Sequence, residues 1–512
     1  MQINVLEYFE RGAARQCPGK IGVVDQDRSY TFGELERYSK QCAALLIGRA
    51  NVIKQPIAVY LPKGAAAILA DLGIAYSGNI YANLDTKSPP LRLQGVLDQL
   101  GPALAITSRD LAPALAAAGL PPEKLFYIED AIGGEAAYDS AFLWRRLERV
   151  IDTDPLAIIH TSGSTGIPKG VALNHRSTID FMDWCFDRFP FDGSERIGSL
   201  TQFYFDIYTS ELILCLAKGA TLVVIPDQFA VFPARLVQFL AQQSISFIFW
   251  VPSMMVNISS LGLLDHADLS ALRTVFFAGE VFPMKHLNRW RRALPAARFV
   301  NLYGPIEITV DCTYFEVERD FNEDQMLPIG FPCRNTDILI LNEKNELCRT
   351  GERGELCVRG SSLAMGYWND PVKTAQAFVQ NPLNAHYPEL IYRTGDQVCQ
   401  NERGEIMFLG RQDCQIKHLG HRIDLSEIEY QVVAHEGIVN ACVLYNESKK
   451  QITLFYQTNG GDLPPEAIRR RLAQIFPKYM LPTAFHQLQE LPRNPNGKID
   501  RRGLALQLQT VP

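Results

Sequence analysis

Short apolar runs rich in β-branched and aromatic residues recur along the chain, and several stop at a cluster of glycine, polar or charged residues. Residues 156–160 end before Thr161, 247–251 before Pro252, 274–277 before Ala278-Gly279-Glu280, and 298–302 before Tyr303-Gly304. Runs of this length bounded by turn-forming residues predict buried strands that open into loops. Segments with helical periodicity lie between them, 178–189 and 234–243 among them. Strands and helices therefore alternate, which predicts a mostly parallel α/β sheet. Ligands in such sheets gather beyond the carboxyl ends of the strands. The alanine-rich stretch 103–118 carries polar punctuation at helical spacing and predicts a packed helix.

The pattern changes after about residue 365. Beyond Gly410 come a loop rich in Lys, His and Arg, a hairpin (438–445 with 451–456) and a helix from 464 to about 475. Together they read as a small α+β unit of about one hundred residues. No Pro/Ser-rich linker marks its boundary. The longest uncharged run, 236–264, is interrupted by Gln242, Gln243, Ser244, Pro252 and Asn257, so it reads as core rather than as a membrane span.

A length of 512 residues implies two to four folding units. With 47% hydrophobic and 21% charged residues the chain is neither a disordered segment nor a disulfide-stapled module. Fifty Lys plus Arg stand against 56 Asp plus Glu, a formal net charge of −6, so nothing in the balance favours nucleic acid or an anionic membrane. Ligands must be sought in a pocket. The eleven cysteines are scattered, without a C-x-x-C pair, and the first ten residues carry no signal-peptide pattern, which predicts reduced thiols in the cytoplasm.

The segment from Thr161 to Gly170 follows a predicted strand. The hydroxyls of Thr161, Ser162, Ser164 and Thr165, with Gly163 and Gly166, let backbone N–H and side-chain O–H groups face one anion, and Lys169 adds a positive charge. By chemistry this is a phosphate cradle. It is not a Walker A loop, because Gly166 is followed by Ile167 and Pro168 rather than by Lys and Ser or Thr. On residue types alone, a Ser/Gly-rich surface turn is the alternative.

Residues 156–171 resemble the phosphate-loop signature of the acyl-adenylate-forming enzymes, the superfamily of amino-acid adenylation domains, acyl-CoA synthetases and firefly luciferase. Further segments match in the family's order: Tyr30-Thr31-Phe32-Gly33-Glu34-Leu35, Phe205-Asp206, Asn301-Leu302-Tyr303-Gly304-Pro305-Ile306-Glu307, Gly354-Glu355-Leu356, Tyr392-Arg393-Thr394-Gly395-Asp396, Gly410-Arg411-Gln412-Asp413 and Asn494-Pro495-Asn496-Gly497-Lys498-Ile499-Asp500. The chain looks most like the stand-alone enzymes that load amino acids onto carrier proteins, D-alanine ligases included. The resemblance implies a large N-terminal domain of stacked α/β subdomains with a small β-barrel-like part, residues 1–412. A small mobile α+β domain, residues 413–512, follows and carries a catalytic lysine.

Activating a carboxylate requires it to attack the α-phosphorus of ATP, so phosphate charge must be neutralised and the attack aligned. By resemblance Glu307 helps hold Mg²⁺, although as a lone residue it reads equally as a salt-bridged acid. Ile306 stands where the family usually has a threonine whose hydroxyl lies near the α-phosphate, so that contact is either absent, with slower turnover, or supplied by a neighbour such as Thr161. Asp396 matches the carboxylate that accepts both ribose hydroxyls, being acceptor-only. Arg411 matches a second nucleotide contact, Tyr303 and the strand end Ala278-Gly279-Glu280 resemble the adenine slot, and Asn301 and Gly304 fall with them among the implied ATP-binding residues. Lys498 matches the lysine that bridges substrate carboxylate and phosphate in the transition state. Asp413 matches the hinge on which the small domain turns between adenylation and thioester formation.

Asp206 follows Phe203-Tyr204-Phe205, an apolar setting in which a carboxylate should meet a cation. In amino-acid adenylation domains the matching aspartate binds the α-ammonium, and acyl-CoA synthetases generally lack it. The side-chain pocket implied by the same alignment comprises Ile207, Ser210, Phe249, Phe276, Ala278, Leu302, Val310 and Asp311. It most resembles pockets for proline, with alanine next; Asp311, if it faces the pocket, favours a basic or hydroxylated side chain. His418-x-x-His421 lacks the further ligands of a zinc site, and no hydrolase motif occurs. Without a phosphopantetheine-bearing serine motif, the carrier protein is expected to act in trans. An acyl- or aryl-CoA ligase remains the alternative, from which Asp206 discriminates. A non-catalytic protein of the same fold would be expected to have lost Lys498, Glu307 or Asp396.

Overall fold

The computed structural model describes residues 2–26, 28–132, 134, 137–161, 168–411, 415–435, 437–458, 461, 463–492 and 499–510, with backbone alone at 502 and 507–510. Two sheets carry the larger part. In the six-stranded sheet, Pro56–Tyr60 lies parallel between Ile80–Asn83 and Leu104–Thr107. Pro155–Thr161 pairs parallel with Ile80–Asn83, and Lys169–Asn174 closes that edge antiparallel. In the nine-stranded sheet the parallel centre is formed by Thr221–Val224, Arg196–Ser199, Phe247–Trp250, Thr274–Ala278 and Arg298–Tyr303. Thr313–Glu316 then returns antiparallel along Arg298–Tyr303.

The helices Phe32–Arg49, Ala65–Tyr76 and Asp206–Lys218 share one core with inner faces of both sheets. The first starts at a capping box: Thr31 Oγ1 accepts from Glu34 N and Thr31 N donates to Glu34 Oε2 at 2.9 Å. The Tyr30 to Leu35 motif is thus a helix start. The last of the three ends at Gly219, whose φ of +74° is the left-handed cap that glycine adopts without Cβ strain.

Successive strand residues point to opposite faces. The pairings Phe249 with Phe276 and Trp250 with Phe277 therefore send one pair of aromatics between the sheets and the other beneath the outer helices. The strands Thr336–Leu341, Gly354–Gly360, Phe378–Gln380, Leu390–Gln400 and Ile406–Arg411 form a separate antiparallel sheet, the small β-barrel-like part implied by the resemblance. A two-stranded hairpin, Gln415–His418 with His421–Asp424, precedes the helix Leu425–Val433. The hairpin Ile438–Asn446 with Gln451–Thr458 follows, joined by Ala484–Leu488 and packed against Pro465–Leu472.

The stretch 103–118 departs from its expected single helix. It folds as the strand Leu104–Thr107 and the short helix Ala112–Ala117. Parallel pairing on both sides of the strand overrides alanine's helical preference. The uncharged run resolves into the helix Pro233–Gln242, the strand Phe247–Trp250 and the helix Pro252–Ser260. Among the described residues no helix is long and apolar enough to cross a membrane.

Candidate active site

The carboxyl ends of the strands converge as the alternation requires. Asp396 lies opposite Arg411 in the antiparallel register, and Arg411 Nη1 donates to its Oδ1 at 2.6 Å. Arg411 Nη2 reaches Thr394 O at 2.9 Å. The hydroxyl of Tyr303, at the end of its strand, donates to Asp396 Oδ2. Burial, then the Asp396 charge, push the Tyr303 phenol well above its ordinary value, so it serves as a donor. Asn301 is turned to other work: its side-chain amide donates to Pro328 O at 2.8 Å, tying the strand to the following loop.

Glu307 is completely buried. Its Oε1 accepts from Lys169 Nζ at 3.2 Å and from Tyr367 OH at 2.9 Å, and its Oε2 accepts from Arg422 Nη1 at 2.8 Å. Burial by itself would raise this carboxyl, but Arg422 and Lys169 hold it well below the usual carboxylate range. Lys169 is lowered by burial, with Glu307 opposing. Arg422 arrives from the C-terminal hairpin. The tip of that hairpin, Leu419 and Gly420, has φ of +52° and +80°, and Gly420 N donates to Glu280 Oε1 at 2.9 Å. A Cβ on Gly420 would sit 3.0 Å from the Val251 side chain, so both the backbone angle and the close approach call for glycine. The other oxygen of Glu280 accepts from Ser253 N at the start of the helix Pro252–Ser260.

A cavity of about 190 Å³ lies between Asp206 and this hairpin. Asp206 opens its helix, is 7% exposed, and accepts from Val310 N at 2.9 Å. Thr309 and Val310 hold φ of +59° and +62°, a left-handed conformation uncommon for β-branched residues, and this aims the amide at Asp206. No Lys or Arg pairs with Asp206 among the described residues. Burial raises its carboxyl to about 6 despite backbone N–H donors.

Ile207, Ala278, Gly279, Gly304, Val310 and Asp311 line this cavity, joined by Trp250, Val251, Met254 and Lys417. Ser210, Phe249, Phe276 and Leu302, expected in the pocket, do not line it. Phe249, Phe276 and Leu302 pack in the core that also holds Ala278 and Val310, with Phe276 against Phe189, Phe247 and Phe249 at centroid separations of 4.8, 5.1 and 5.7 Å. The hydroxyl of Ser210 donates within its helix to Ile207 O at 2.7 Å. Phe249, Phe276 and Leu302 each stand two residues before a residue that lines the cavity, Val251, Ala278 and Gly304, so they share its face and fill the core further from the strand ends.

Thr161 ends its strand with a buried Oγ1 that meets no hydrogen-bond partner among the described residues. It faces a second cavity of about 80 Å³ with Tyr204, Phe205, Ile306, His421 and Tyr479. An orphaned hydroxyl there is a ready donor to a phosphate oxygen, so the residues present fit ATP. Glu307 offers the hard oxygen that suits Mg²⁺, and in this arrangement its Oε1 accepts from Lys169 and Tyr367 and its Oε2 from Arg422. Ser162, Gly163, Ser164, Thr165, Gly166, Asp413 and Lys498 lie outside the described residues. Ile499, next to Lys498, packs with Cys442, Phe455, Leu491 and Leu504 of the C-terminal sheet and its neighbours.

Sequence reasoning placed Lys417 and Arg422 only in a basic loop and did not bring them to the site. Their clustering around a Gly turn was the available signal. Lys417 Nζ lies 5.9 Å from the Tyr303 ring centroid; burial lowers its ammonium, with Asp396 and Asp311 among the groups acting on it. Tyr367 carried no signal of its own.

Residues 9–368 match the family model described as AMP-binding enzyme. Tyrocidine synthase 1 of Brevibacillus parabrevis is 31% identical over 503 residues, 98% of this chain and 45% of that protein. An L-proline--[L-prolyl-carrier protein] ligase of Pseudomonas fluorescens is 31% identical over 507 residues, 96% of this chain and 97% of the relative. The crystal structure of IdnL1 superposes with a TM-score of 0.81 at 27% identity, covering 94% of this chain and 98% of that one. The chain spans less than half the length of the first curated relatives it matches.

Proposed function

This chain belongs to the AMP-binding enzyme family, and from that premise we propose that it is a stand-alone amino-acid adenylation enzyme. ATP and a compact amino acid give aminoacyl-AMP and pyrophosphate, and the aminoacyl group then passes to the phosphopantetheine thiol of a separate carrier protein. One observation carries the amino-acid assignment: Asp206 presents a buried carboxylate to a small cavity where, among the described residues, no Lys or Arg forms an ion pair with it and Lys417 acts on it only through charge. An α-ammonium supplies the missing charge. Proline, the leading candidate by resemblance, draws support from the name of the prolyl-carrier relative, with alanine next.

Asp396, steadied by Arg411 and Tyr303, accepts the ribose hydroxyls. Thr161, the Ser162 to Gly166 loop and Lys169 receive phosphate oxygens, and Gly279, Glu280 and Gly304 border the adenine. When bound, Mg²⁺ supplies neutralisation of phosphate charge, and Glu307 would hold it. Lys498 approaches the reacting carboxylate and phosphate during adenylation, on a domain of residues 413–512 that turns about Asp413 against residues 1–412. The hairpin seated on Glu307 and Glu280 supports assigning the present arrangement to the thioester-forming step, with Arg422 occupying the metal carboxylate after pyrophosphate has left. The ten described cysteines are free thiols, which supports work in the reducing cytoplasm.

Acid-dependent ATP–pyrophosphate exchange tests the assignment across the amino acids, D-alanine and a set of fatty and aryl acids. Exchange with an amino acid that falls on Asp206→Ala is the expected result. Exchange confined to a fatty or aryl acid overturns the amino-acid reading.

A further inference from the structure

The cavity beside Asp206 holds a second carboxylate that the chemistry above leaves unused. Asp311 follows Val310 directly, so it hangs on the same left-handed turn that aims the Val310 amide at Asp206. It is 2% exposed, lines the same cavity, and its Oδ2 meets no donor among the described residues. Lys417 acts on it through charge without forming an ion pair, and Lys417 belongs to the hairpin rather than to the cavity's fixed walls.

A buried carboxyl without a partner is costly unless a ligand supplies one. Of the residues that line the cavity with it, Ile207, Ala278 and Val310 supply no side-chain donor, Gln202 and Trp250 donate to Asp227 and Gly198, and Lys417, His421 and Arg422 belong to the hairpin; Phe249, Phe276 and Leu302 are packed in the core. The side-chain space is therefore short and carries one polar end. We propose that Asp311 selects an amino acid whose short side chain ends in a hydrogen-bond donor, a hydroxyl or an ammonium. This rests on the amino-acid reading above and departs from proline and alanine, which offer no donor beyond the α-nitrogen.

Burial, reinforced by the neighbouring Asp206 charge, pushes the Asp311 carboxyl well above its ordinary range. A neutral carboxyl both donates to and accepts from a hydroxyl. An ammonium would instead draw it into its ionised form. The two donor chemistries are therefore separable by experiment.

The test is pyrophosphate exchange on the full chain with both enantiomers of serine, 2-aminobutyrate, 2,3-diaminopropionate, alanine and proline. Serine and 2-aminobutyrate have the same size and shape and differ in the donor alone. The expected result is a kcat/KM for serine or 2,3-diaminopropionate about 10²-fold or more above that for 2-aminobutyrate. Serine leading indicates the neutral carboxyl, and 2,3-diaminopropionate leading the ionised one. Asp311→Val should collapse that ratio towards one. A wild-type preference for 2-aminobutyrate, alanine or proline overturns the inference and leaves the amino-acid reading standing, as does a ratio that survives Asp311→Val. The wild-type series decides by itself should the variant not fold. Activity with none of the amino acids, but with a fatty or aryl acid, removes both.

Discussion

Replacing Arg422 with Met separates the two half-reactions. Arg422 Nη1 donates to Glu307 Oε2 at 2.8 Å in a site closed to solvent, and a charge-assisted hydrogen bond of this kind contributes about 1.5–3 kcal/mol. Methionine keeps the length and removes the charge. Glu307 still has Lys169 and Tyr367, so the carboxylate is not orphaned and a larger penalty does not arise. Destabilising the seated hairpin by that amount lowers its population about tenfold to one-hundredfold. Transfer is measured by loading the enzyme with ATP, amino acid and pyrophosphatase, adding phosphopantetheinylated carrier protein, and quenching over time. The transfer rate should fall by that factor, while exchange, which does not need the seated hairpin, falls much less. An equal loss in both assays would refute the reasoning, as would transfer at the wild-type rate.

Asp206 protonates as pH falls through about 6; the neutral acid no longer attracts an ammonium, so KM for the amino acid should rise below that pH, with Asp311, Lys417 and His421 also titrating on the cavity. Asp206→Asn should raise KM throughout and flatten the profile, and an unchanged acidic limb in that variant would remove the assignment. Burial raises Glu211 to about 8 against the Ser199 hydroxyl and Lys63. The folded chain then binds this proton more tightly than the unfolded one, so its contribution to stability is fullest at acidic pH and is lost as pH rises through about 8. Glu211→Gln should gain melting temperature relative to the parent at the alkaline end, and identical pH slopes for the two proteins would contradict this. Phe276→Ala empties the centre of an aromatic cluster and should cost about 3–5 kcal/mol, read as a lower urea midpoint; an unchanged midpoint would show the cluster is not tightly packed. Lys498→Ala should reduce exchange at least about 10²-fold yet still transfer from a preformed aminoacyl adenylate, and undiminished exchange would exclude Lys498 from adenylation.

Much of this protein is written in contiguous stretches. Apolar runs ending in Thr161, Ala278 and Tyr303 specify strands and the loops after them, because strand length and turn chemistry are local properties. Thr31 and Glu34 start a helix from a spacing of three residues. The residue types at 161–170 name a phosphate cradle before any fold is known, and the roles of Asp206, Glu307 and Asp396 follow from the motifs' resemblance to a family. What faces what is not local. Phe249 and Phe276 fill the core while Val251 and Ala278, two residues further along the same strand faces, line the cavity, since how far each strand reaches beside its neighbours decides which residues of one face meet the opening. The meeting of Arg422 with Glu307 and of Gly420 with Glu280 joins residues more than one hundred positions apart, through docking of the C-terminal hairpin on the strand ends. The sequence by itself determined the strands, the helix caps and the chemical inventory of the site. Tertiary structure alone decided that Asp206 and Asp311 share one cavity with no Lys or Arg among the described residues paired to either, because a backbone turn of two left-handed β-branched residues brings them together, and no pattern of residue types announces that turn.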